Sequence, residues 1–329
     1  MSTIKDVALQ AGVTIGTVSN YLNGKAVRSD NQARIEAAIT LTGYRLDPSA
    51  QTLKTGKSKM IGVVVPDITS AYSGLLVKHL ERNFQDQGYH TLICDTWGQP
   101  DVQRQKVETL MRRRVDGLVL YPAGGSLQSL EDVLPADFPL VVVDTGIEDR
   151  VCDQVLTDNA RGIFLAVEHL VNQGHRRIGF INGGPHYYTA RKRLEGYLQG
   201  LEAFGLASEP ELICNQSYRR DYGYAMAAFL CESTSPPTAI IASNYELATG
   251  VWQYASEQKL SIPHDLALVG FDDVEWFTLF RPHLSVVAQP LDTIAQVTST
   301  LLSRRMAGDQ ADFPSFSLIS PQLLVRQSS

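Results

Sequence analysis

Short apolar stretches and longer helix-like stretches alternate along this chain from about residue 60 to residue 305. Residues 60–66 and 266–271 are examples of the apolar stretches, whereas the segments between them repeat apolar residues at helical spacing. Alternating strands and helices predict parallel, doubly wound sheets. Because the strand candidates fall into two sets of about four or five, we expect a body of two similar α/β lobes.

The strands and helices of this body are predicted from the same alternation. Strands are expected at residues 60–66, 91–95, 117–121 and 140–144, and then at 177–182, 212–214, 239–243, 266–271 and 284–289. Helices are expected at residues 75–87, 102–114, 161–173, 191–204, 222–231, 247–258 and 292–305. We assign residues 60–159 plus 285–310 to one lobe and residues 160–284 plus 311–329 to the other. Ligands bind outside the carboxyl ends of such strands, so we expect a cleft between facing strand ends.

Charge is distributed unevenly along the chain. The whole sequence carries a net charge of −6, but residues 1–60 hold eight lysines and arginines against four acids. This segment therefore carries +4 and the remainder −10. A basic head on an acidic body places a polyanion-binding surface at the N-terminus. The polar first residues and the lack of a long apolar run predict neither a signal peptide nor a membrane span, so we expect a cytoplasmic protein.

The first 47 residues have the pattern of an all-α helix-turn-helix domain. Thr3 and Asp6 have capping-box spacing at the start of a first helix. One apolar face of that helix comprises Ile4, Val7, Ala8 and Ala11. Gly12 is expected to end the helix, and Thr14 to cap a second helix after a turn of about three residues. A third helix is predicted from about residue 30.

The second helix is predicted to present short polar side chains on its open face, as a reader of the DNA major groove requires. An asparagine such as Asn20 can pair with adenine, and serine or threonine can bond to a base or a phosphate. The predicted DNA contacts of the head are Thr3, Lys5, Thr14, Ile15, Gly16, Thr17, Ser19, Asn20, Asn23, Lys25 and Arg28. The helical pattern alone also fits a three-helix protein-binding module, but the basic charge favours DNA.

Two motifs in this region resemble the DNA-binding head of the LacI/GalR repressor family. They are T-I-K-D-V-A-x-x-A-G-V-T-x-x-T-V-S-x-x-L-N-G at residues 3–24 and G-Y-x-x-x-P-S-A-x-x-L-K-T-G at residues 43–56. The resemblance implies that Ile15, Gly16 and Asn20 are the main base readers. Gly16 departs from the family's usual polar or bulky residue, so readout is expected to depend on Ile15, against a thymine methyl, and on Asn20.

Residues 48–59 are predicted to be a hinge between the head and the body. Taken alone, this segment is a flexible linker, because about six residues cannot hold a helix in water. The resemblance implies a hinge helix that forms on operator DNA, pairs with its dimer mate and inserts Leu53 into the minor groove. The predicted DNA contacts of this segment are Ala50, Leu53 and Lys54.

The body also resembles that family along essentially its whole length. The motifs are I-G-V-V-V-P-D-I at residues 61–68, V-D-G-L-V-L at 115–120, E-H-L-V-N-Q-G-H-R-R-I-G-F-I at 168–181 and V-G-F-D-D at 269–273. The resemblance implies a periplasmic-binding-protein-like fold that forms a homodimer. We therefore expect a near-palindromic double-stranded operator and a small carbohydrate effector bound between the lobes.

Polar and aromatic residues just after the predicted strands are candidates for binding this effector. Carboxylates and amides suit hydroxyl groups, a guanidinium suits a ring oxygen or a charge, and an aromatic ring can stack. The candidates, from their positions and from the resemblance, are Ser70, Tyr72, Ser73, Asp144, Arg193, Tyr218, Asn244 and Asp272. A single Asp or Asn after a strand is more often a helix cap, and a single loop Tyr is usually part of a core. The loop at residues 70–73 and Tyr245 depart from the family's common residues.

Several cations fall in the same predicted loops. They are His186, Arg191, Lys192, Arg193, Arg219 and Arg220. We therefore expect a sugar acid or a sugar phosphate as effector, with a neutral sugar as the alternative. The simpler interpretation is that most of these cations form a solvated rim.

Enzymatic activity is not expected. The sequence contains no phosphate-binding loop, no dinucleotide fingerprint after a strand, no H-E-x-x-H and no G-x-S-x-G motif. Its four cysteines lack C-x-x-C spacing and are expected to be reduced thiols. We expect no cofactor and no metal ion. The sequence therefore predicts a DNA-binding transcriptional regulator of the repressor type, rather than an enzyme or a transport-type sugar binder.

Overall fold

The computed structural model describes residues 2–22, 24–44 and 56–329. It divides into two compact units, residues 1–59 and residues 60–329, which are described separately. Most of the predicted hinge lies outside the described residues, as do the predicted DNA contacts Asn23, Ala50, Leu53 and Lys54. In the described part of the chain, no helix is long and apolar enough to cross a membrane.

The described part of the head contains three helices: α1 (Ile4–Ala11), α2 (Ile15–Leu22) and α3 (Ser29–Thr42). At the start of α1, the Asp6 carboxylate accepts hydrogen bonds from the Thr3 amide (2.7 Å) and hydroxyl (2.9 Å). Gly12 ends α1 in the left-handed conformation (φ 61°), which glycine adopts without a steric penalty. The Thr14 hydroxyl then accepts a hydrogen bond from the Thr17 amide (3.2 Å) at the start of α2. The sequence predicted each of these helix boundaries.

The three helices pack around a small apolar core. It comprises Val7, Ala8, Ala11, Val18, Ile35 and Ala38. Four of these six residues are valine or alanine side chains from α1 and α2, so the helices can approach closely. The core occupies one face of α2 and leaves the opposite face of that helix to solvent.

The first lobe of the body has one six-stranded sheet. Its strands are β1 (Met60–Val65), β2 (His90–Asp95), β3 (Gly117–Leu120), β4 (Leu140–Val143), β5 (Asp153–Thr157) and β11 (Phe316–Ile319). They are all parallel, in the order β11-β5-β4-β3-β1-β2. Its helices are α4 (Ala71–Asp86), α5 (Pro100–Arg112) and α10 (Leu291–Met306). Helices α4 and α10 cover one face of the sheet and α5 covers the other.

The second lobe repeats this plan. Its strands are β6 (Ile178–Gly183), β7 (Ile213–Gln216), β8 (Ala239–Ala242), β9 (Ala267–Phe271), β10 (Ser285–Ala288) and β12 (Gln322–Leu324). The order is β12-β10-β9-β8-β6-β7, and β12 is antiparallel to its neighbour. Helices α6 (Asn159–Asn172) and α7 (Tyr188–Ala203) cover one face, and α8 (Arg220–Cys231) and α9 (Tyr245–Glu257) cover the other. The 3₁₀ turns Gln128–Leu130, Pro210–Leu212 and Glu275–Thr278 lie between these elements. The predicted fold class is confirmed.

The predicted division of the C-terminal segments between the lobes is wrong for two strands, whereas α10 and β12 lie in the lobes expected for them. Strand β10 pairs with β9 in the second lobe, although residues 285–310 were assigned to the first. Strand β11 pairs with β5 in the first lobe, although residues 311–329 were assigned to the second. Within residues 60–329 the chain therefore crosses between the lobes three times, after β5, after β10 and after β11. Three strands, β5, β11 and β12, were not predicted, because strand pairing across the chain rather than local sequence places them.

Glycines allow helix backbones to touch in the second lobe. A Cβ atom at Gly196 in α7 would lie 2.1 Å from the carbonyl oxygen of Ala160 in α6. A Cβ atom at Gly250 in α9 would lie 2.2 Å from the carbonyl oxygen of Arg220 in α8. Each helix pair is therefore packed more closely than any larger residue at these positions would permit.

A buried ion pair attaches the C-terminal part of the chain to the first lobe. The Arg305 guanidinium in α10 donates to both carboxylate oxygens of Asp153 in β5, at 2.7 and 3.0 Å. Asp153 also accepts a hydrogen bond from the Ser315 amide at 2.7 Å, directly before β11. Since both charged side chains are buried, this bidentate pair fixes where α10 and β11 meet the sheet.

Candidate effector pocket and DNA-binding face

The candidate effector residues follow the carboxyl ends of strands near the point where each sheet reverses its strand order. In the first lobe the chain leaves β1 for β2 on one side and returns to β3 on the other. In the second lobe the same reversal occurs between β6 and β8. Open parallel sheets bind ligands at such switch points. The loops and helix starts that follow these strands form the cleft between the lobes.

A small inner chamber, with a volume of about 110 Å³, lies at the base of this cleft. Its lining includes seven of the predicted effector residues: Ser70, Tyr72, Asp144, Arg193, Tyr218, Asn244 and Asp272. The eighth, Ser73, lines a larger outer chamber of about 1050 Å³. The two chambers share walls, so the structure brings all eight predicted residues to one cleft.

Two positions differ in detail from the sequence prediction. Tyr72 was expected in a loop but lies in the first turn of α4. Arg193 was expected to open a helix, but α7 begins at Tyr188 and Arg193 lies in its second turn. Both side chains still line the inner chamber, Tyr72 from the first turn and Arg193 from the second turn of the helices that follow β1 and β6.

Among the described residues, Arg193 is the only cationic side chain lining the inner chamber. Its Nε donates to Asn159 Oδ1 at 2.7 Å, and its Nη1 donates to the Ser243 carbonyl oxygen. The guanidinium lies 3.8 Å from the centre of the Phe271 ring. These contacts hold a buried charge in one orientation, and donors remain for a ligand because arginine has five.

Two aspartates oppose this arginine. Asp144 directly follows β4 and Asp272 directly follows β9, and both are buried. Both adopt positive φ angles, 65° and 72°, which are uncommon for residues other than glycine and concentrate at functional sites. Burial raises the pKa of each carboxyl group, and the positive charge of Arg193 opposes that rise.

Two buried polar atoms in this chamber, Tyr72 Oη and Asp144 Oδ2, have no hydrogen bond of normal geometry to a described residue. The two side chains are nonetheless near each other, since Asp144 acts on the pKa of Tyr72. Burial and the nearby Asp144 charge raise the pKa of Tyr72 well above its ordinary value, so its hydroxyl is neutral and can donate. Buried polar groups are normally satisfied, so this donor and acceptor are poised for a polar ligand.

Other polar groups of the chamber are engaged within the protein. Asn244 Oδ1 accepts a hydrogen bond from the Leu247 amide at 2.8 Å, so Asn244 caps α9. Helix capping was the alternative to effector binding for a residue at this position. The amide group of Asn244 also donates to the Tyr218 carbonyl oxygen at 3.1 Å. Gln289, at the second crossover, donates to Asp272 Oδ1 at 2.7 Å and accepts from the Thr157 hydroxyl. Gln289 therefore joins the effector pocket to the connection between the lobes.

Two of the six cations predicted near the cleft are paired with carboxylates, and a third is held by backbone oxygens. Lys192 pairs with Glu195 at 2.8 Å, and Arg219 pairs with Asp221 at 2.9 Å. Arg191 donates to the backbone carbonyl oxygens of residues 185 and 186. These side chains lie outside the inner chamber, which Arg193 lines. The arrangement favours the interpretation of a solvated rim.

Four further residues line the inner chamber. They are Tyr121, Thr189, Tyr245 and Gln289. Tyr121 and Gln289 come just after β3 and β10, so the same rule that selected Asp144 could have found them. Tyr245 was noted only as a departure at the pocket. Thr189 carries no signal in the sequence, because a single threonine at the start of a helix is usually structural.

On the head, the predicted reading face of α2 is open to solvent. Ile15 is 45% exposed although it is a large apolar residue, and Gly16 and Asn20 are also exposed. A Cβ atom at Gly16 would have only Thr14 Oγ1, at 3.7 Å, as a neighbour among the described residues. Packing therefore does not require glycine at this position. The other predicted DNA contacts in the described head are accessible to different degrees: Thr17 and Ser19 are half-buried, and the exposed ones are Thr3, Lys5, Thr14, Lys25 and Arg28.

Comparison with known proteins identifies these two parts. Residues 3–47 match the family described as bacterial regulatory proteins, lacI family, and residues 167–329 match the periplasmic binding protein-like domain. The ribose operon repressor of Haemophilus influenzae is 30% identical over 329 residues, with 100% of this chain and 98% of that protein covered. The repressor PurR of Actinobacillus pleuropneumoniae is 29% identical over 330 residues, with the same coverage.

Solved structures show the same architecture. The lac repressor dimer bound to operator and the anti-inducer ONPF has a TM-score of 0.87 at 23% identity, over 99% of this chain and 98% of that one. A sugar-binding transcriptional regulator of the LacI family from Escherichia coli, complexed with phosphate, has a TM-score of 0.72 at 27% identity, over 83% of this chain and 99% of that one.

The fold is that of a DNA-binding regulator with a periplasmic-binding-protein-like body. This chain belongs to the lacI family of bacterial regulatory proteins. Like its relatives, which are named as repressors, it is a transcriptional repressor and not an enzyme. The class of protein expected from the sequence is confirmed.

Proposed function

We propose that this repressor binds a near-palindromic operator as a homodimer and that an uncharged sugar, held in the inner chamber, controls its affinity for DNA. The head reads bases with the exposed face of α2, and the hinge contacts the centre of the operator. The protein acts in the cytoplasm, where its DNA is.

The observation that carries the effector proposal is the set of unsatisfied groups in the inner chamber. Tyr72 Oη and Asp144 Oδ2 are a buried donor and a buried acceptor, near each other but with no hydrogen bond of normal geometry in the described chain. Arg193 lies among the same lining residues with donors to spare. A molecule with several adjacent hydroxyl groups satisfies donors and acceptors together, since each hydroxyl can do both.

The charges of the chamber favour an uncharged effector over the sugar acid or phosphate that the sequence suggested. Two carboxylates, Asp144 and Asp272, face the guanidinium of Arg193. An added anion would meet two buried negative charges against one positive charge, which is costly in a medium of low polarity. The Haemophilus relative is named for a ribose operon, which is in line with an uncharged sugar. The phosphate in the Escherichia coli structure belongs to that protein.

Support for the homodimer comes from the family and from the surface of the body. Large apolar side chains are exposed on both lobes, among them Leu75 in α4, Ile93 in the edge strand β2, Phe229 in α8 and Leu279. Exposed apolar side chains on several elements of such a body suit burial against a second copy. A twofold dimer would present two heads to two half-sites about one helical turn apart.

The proposal is tested with the full-length protein. Selection from random duplex DNA yields the operator, which is expected to be a near-palindrome, and anisotropy titrations then measure its affinity. We expect the affinity to fall about a thousandfold or more between about 50 and about 200 mM salt, as phosphate contacts require. D-ribose and other uncharged monosaccharides are then added to the complex, and the effect of each on the dissociation constant shows whether it releases or tightens the repressor.

Asp144→Asn is the informative variant. It keeps the size of the side chain but replaces one acceptor with a donor, so it should bind operator normally and lose its response to the sugar. Asp116→Asn, in the loop before β3 and outside both chambers, serves as the control and should respond like the parent protein. A response limited to sugar acids or sugar phosphates would contradict an uncharged effector, and a non-palindromic selected site would contradict the dimer.

A further inference from the structure

The outer chamber is about ten times larger than the inner one, at about 1050 Å³ against about 110 Å³. The two chambers share six lining residues: Ser70, Tyr121, Thr189, Tyr218, Asn244 and Tyr245. A molecule seated in the inner chamber therefore projects directly into the outer one. The polar groups of the inner chamber, among them Asp144 and Asp272, can bind one end of a ligand. They do not explain the size or the chemistry of the outer chamber.

One wall of the outer chamber is a continuous series of rings from the second lobe. Tyr218 lines both chambers, and its ring centre lies 5.3 Å from that of Tyr187. Tyr187 in turn lies 4.0 Å from the ring of His186. Tyr187 is 46% exposed and all three rings line the chamber, so the series leads from the inner chamber to the rim.

The first lobe contributes a tryptophan to the same chamber. Trp97 follows β2 and is 68% exposed, which is unusual for the largest apolar side chain. Its backbone has a positive φ of 54°, and its amide donates to Asp95 Oδ1 at 2.8 Å. A non-glycine residue in this conformation costs stability, so the loop holds the indole at the chamber against a penalty. Lys106 Nζ lies 5.8 Å from the ring centre and steadies it.

The charges of the outer chamber do not favour an anion either. Its lining includes the carboxylates of Asp67, Asp221 and Glu246 and the guanidinium groups of Arg219 and Arg220. Arg219 is paired with Asp221, so the remaining charges of this set are two negative and one positive. Exposed rings beside a slightly negative lining suit an uncharged group with one apolar face and a polar edge. A sugar ring is such a group, because its C–H bonds stack on aromatic rings while its hydroxyls remain hydrated.

We propose that the effector is a disaccharide, with one ring in the inner chamber and the second ring in the outer chamber between Trp97 and Tyr187. This inference rests on the proposed function, because it extends the same carbohydrate site. The second ring would contact side chains from both lobes, so it would also contribute to holding them together.

The test is calorimetric titration of the full-length protein with uncharged sugars in matched pairs. The probes are D-glucose and D-galactose as single rings, D-ribose as a smaller ring, and cellobiose, maltose and lactose as disaccharides built from the first two. We expect at least one disaccharide to bind at least about tenfold more tightly than its constituent monosaccharides. Trp97→Ala should weaken that disaccharide about tenfold, the equivalent of about 1.4 kcal/mol, and change monosaccharide affinity less than about twofold.

Two variants serve as controls. Trp97→Phe keeps an aromatic face and should retain affinity within about threefold of the parent. Phe316→Ala removes an aromatic side chain that is 61% exposed on β11 and lines neither chamber, so it should change no affinity.

The outcomes separate this inference from the proposed function. Monosaccharides that bind as tightly as the disaccharides, with no effect of Trp97→Ala, would overturn the outer ring site and leave an uncharged sugar effector standing. Tighter binding of glucose 6-phosphate than of any disaccharide would overturn the uncharged second ring. Failure of every sugar of either size to bind would overturn both proposals.

Discussion

Replacing Arg193 with methionine tests whether the inner chamber depends on one buried positive charge. Methionine is close to the arginine stem in length, so the change removes the guanidinium with little loss of packing. The variant loses the hydrogen bonds to Asn159 Oδ1 and to the Ser243 carbonyl oxygen. It also leaves the carboxyl groups of Asp144 and Asp272 buried without this counter-charge.

Breaking a buried ionic cluster by removing one partner costs about 3–5 kcal/mol. For a body of this size, each kcal/mol shifts the midpoint of thermal unfolding by roughly 2–4 °C, so we expect a decrease of roughly 10 °C at pH 7. Sugar binding should be lost as well, because Arg193 is a direct ligand in the proposed complex.

The loss of thermal stability should depend on pH in a definite direction. In the folded protein the pKa values of Asp144 and Asp272 are raised above the ordinary 3.8, and Arg193 limits the rise. A carboxyl group with a raised folded pKa holds its proton longer in the folded state, so its contribution to stability grows as the pH falls through that folded pKa towards 3.8. Without Arg193 both pKa values rise further. The midpoint difference between parent and variant should therefore be larger at pH 8 than at pH 5.

Thermal unfolding followed by calorimetry at pH 8, 7, 6 and 5 measures this difference. Arg191→Met is the matched control, since Arg191 is exposed and donates to the backbone carbonyl oxygens of residues 185 and 186. Its effect should stay below about 0.5 kcal/mol at every pH. A difference for Arg193→Met that is the same at every pH would refute the electrostatic argument and reduce the residue to a packing role.

Three other predictions concern the helices, the C-terminal attachment and the head. Gly250→Ala should lower the free energy of unfolding by about 2 kcal/mol or more, because α8 and α9 must separate to admit the methyl group. Gly74→Ala in α4 should raise the free energy of unfolding by about 1 kcal/mol, because its Cβ would have only one described neighbour, at 3.7 Å. Urea titration distinguishes the two signs. Arg305→Met should cost about 3–5 kcal/mol in the same assay, and a loss below about 1 kcal/mol would show that the buried pair is dispensable. Asn20→Ala should weaken operator binding by about 1–3 kcal/mol and relax the base preference at one position. Arg28→Ala should lower the slope of log affinity against log salt concentration by the equivalent of about one phosphate contact. Equal salt slopes for both variants would contradict these roles.

Local sequence was sufficient to find most of the elements and most of the site. The helix starts at Thr3 and Thr14 and the stop at Gly12 were predicted, because capping and left-handed turns depend on residues within one helical turn. The pocket aspartates were found because polar residues directly after buried strands are visible in the sequence. Tyr121 and Gln289 satisfy the same rule and were overlooked.

The structure was needed wherever distant segments meet. Local sequence cannot show that β10 pairs with β9 while β11 crosses back to β5, because strand order depends on contacts between residues far apart in the chain. The cations after β6 and β7 suggested an anionic effector, although Lys192 and Arg219 pair with acids only three and two residues further along the chain. Only the folded arrangement shows that Arg193, alone among these cations, lines the inner chamber.

The alternation of strands and helices therefore determined by itself the fold class of the body, and capping and helical periodicity determined the helix-turn-helix pattern of the head. Hydrophobic periodicity and capping are local, so they can be read along the chain. The tertiary structure decided how the lobes exchange their C-terminal segments, which charges remain in the cleft, and that Tyr72 and Asp144 meet there without normal hydrogen-bond partners. These are properties of groups brought together from different strands, and their energies exist only once the two lobes have formed.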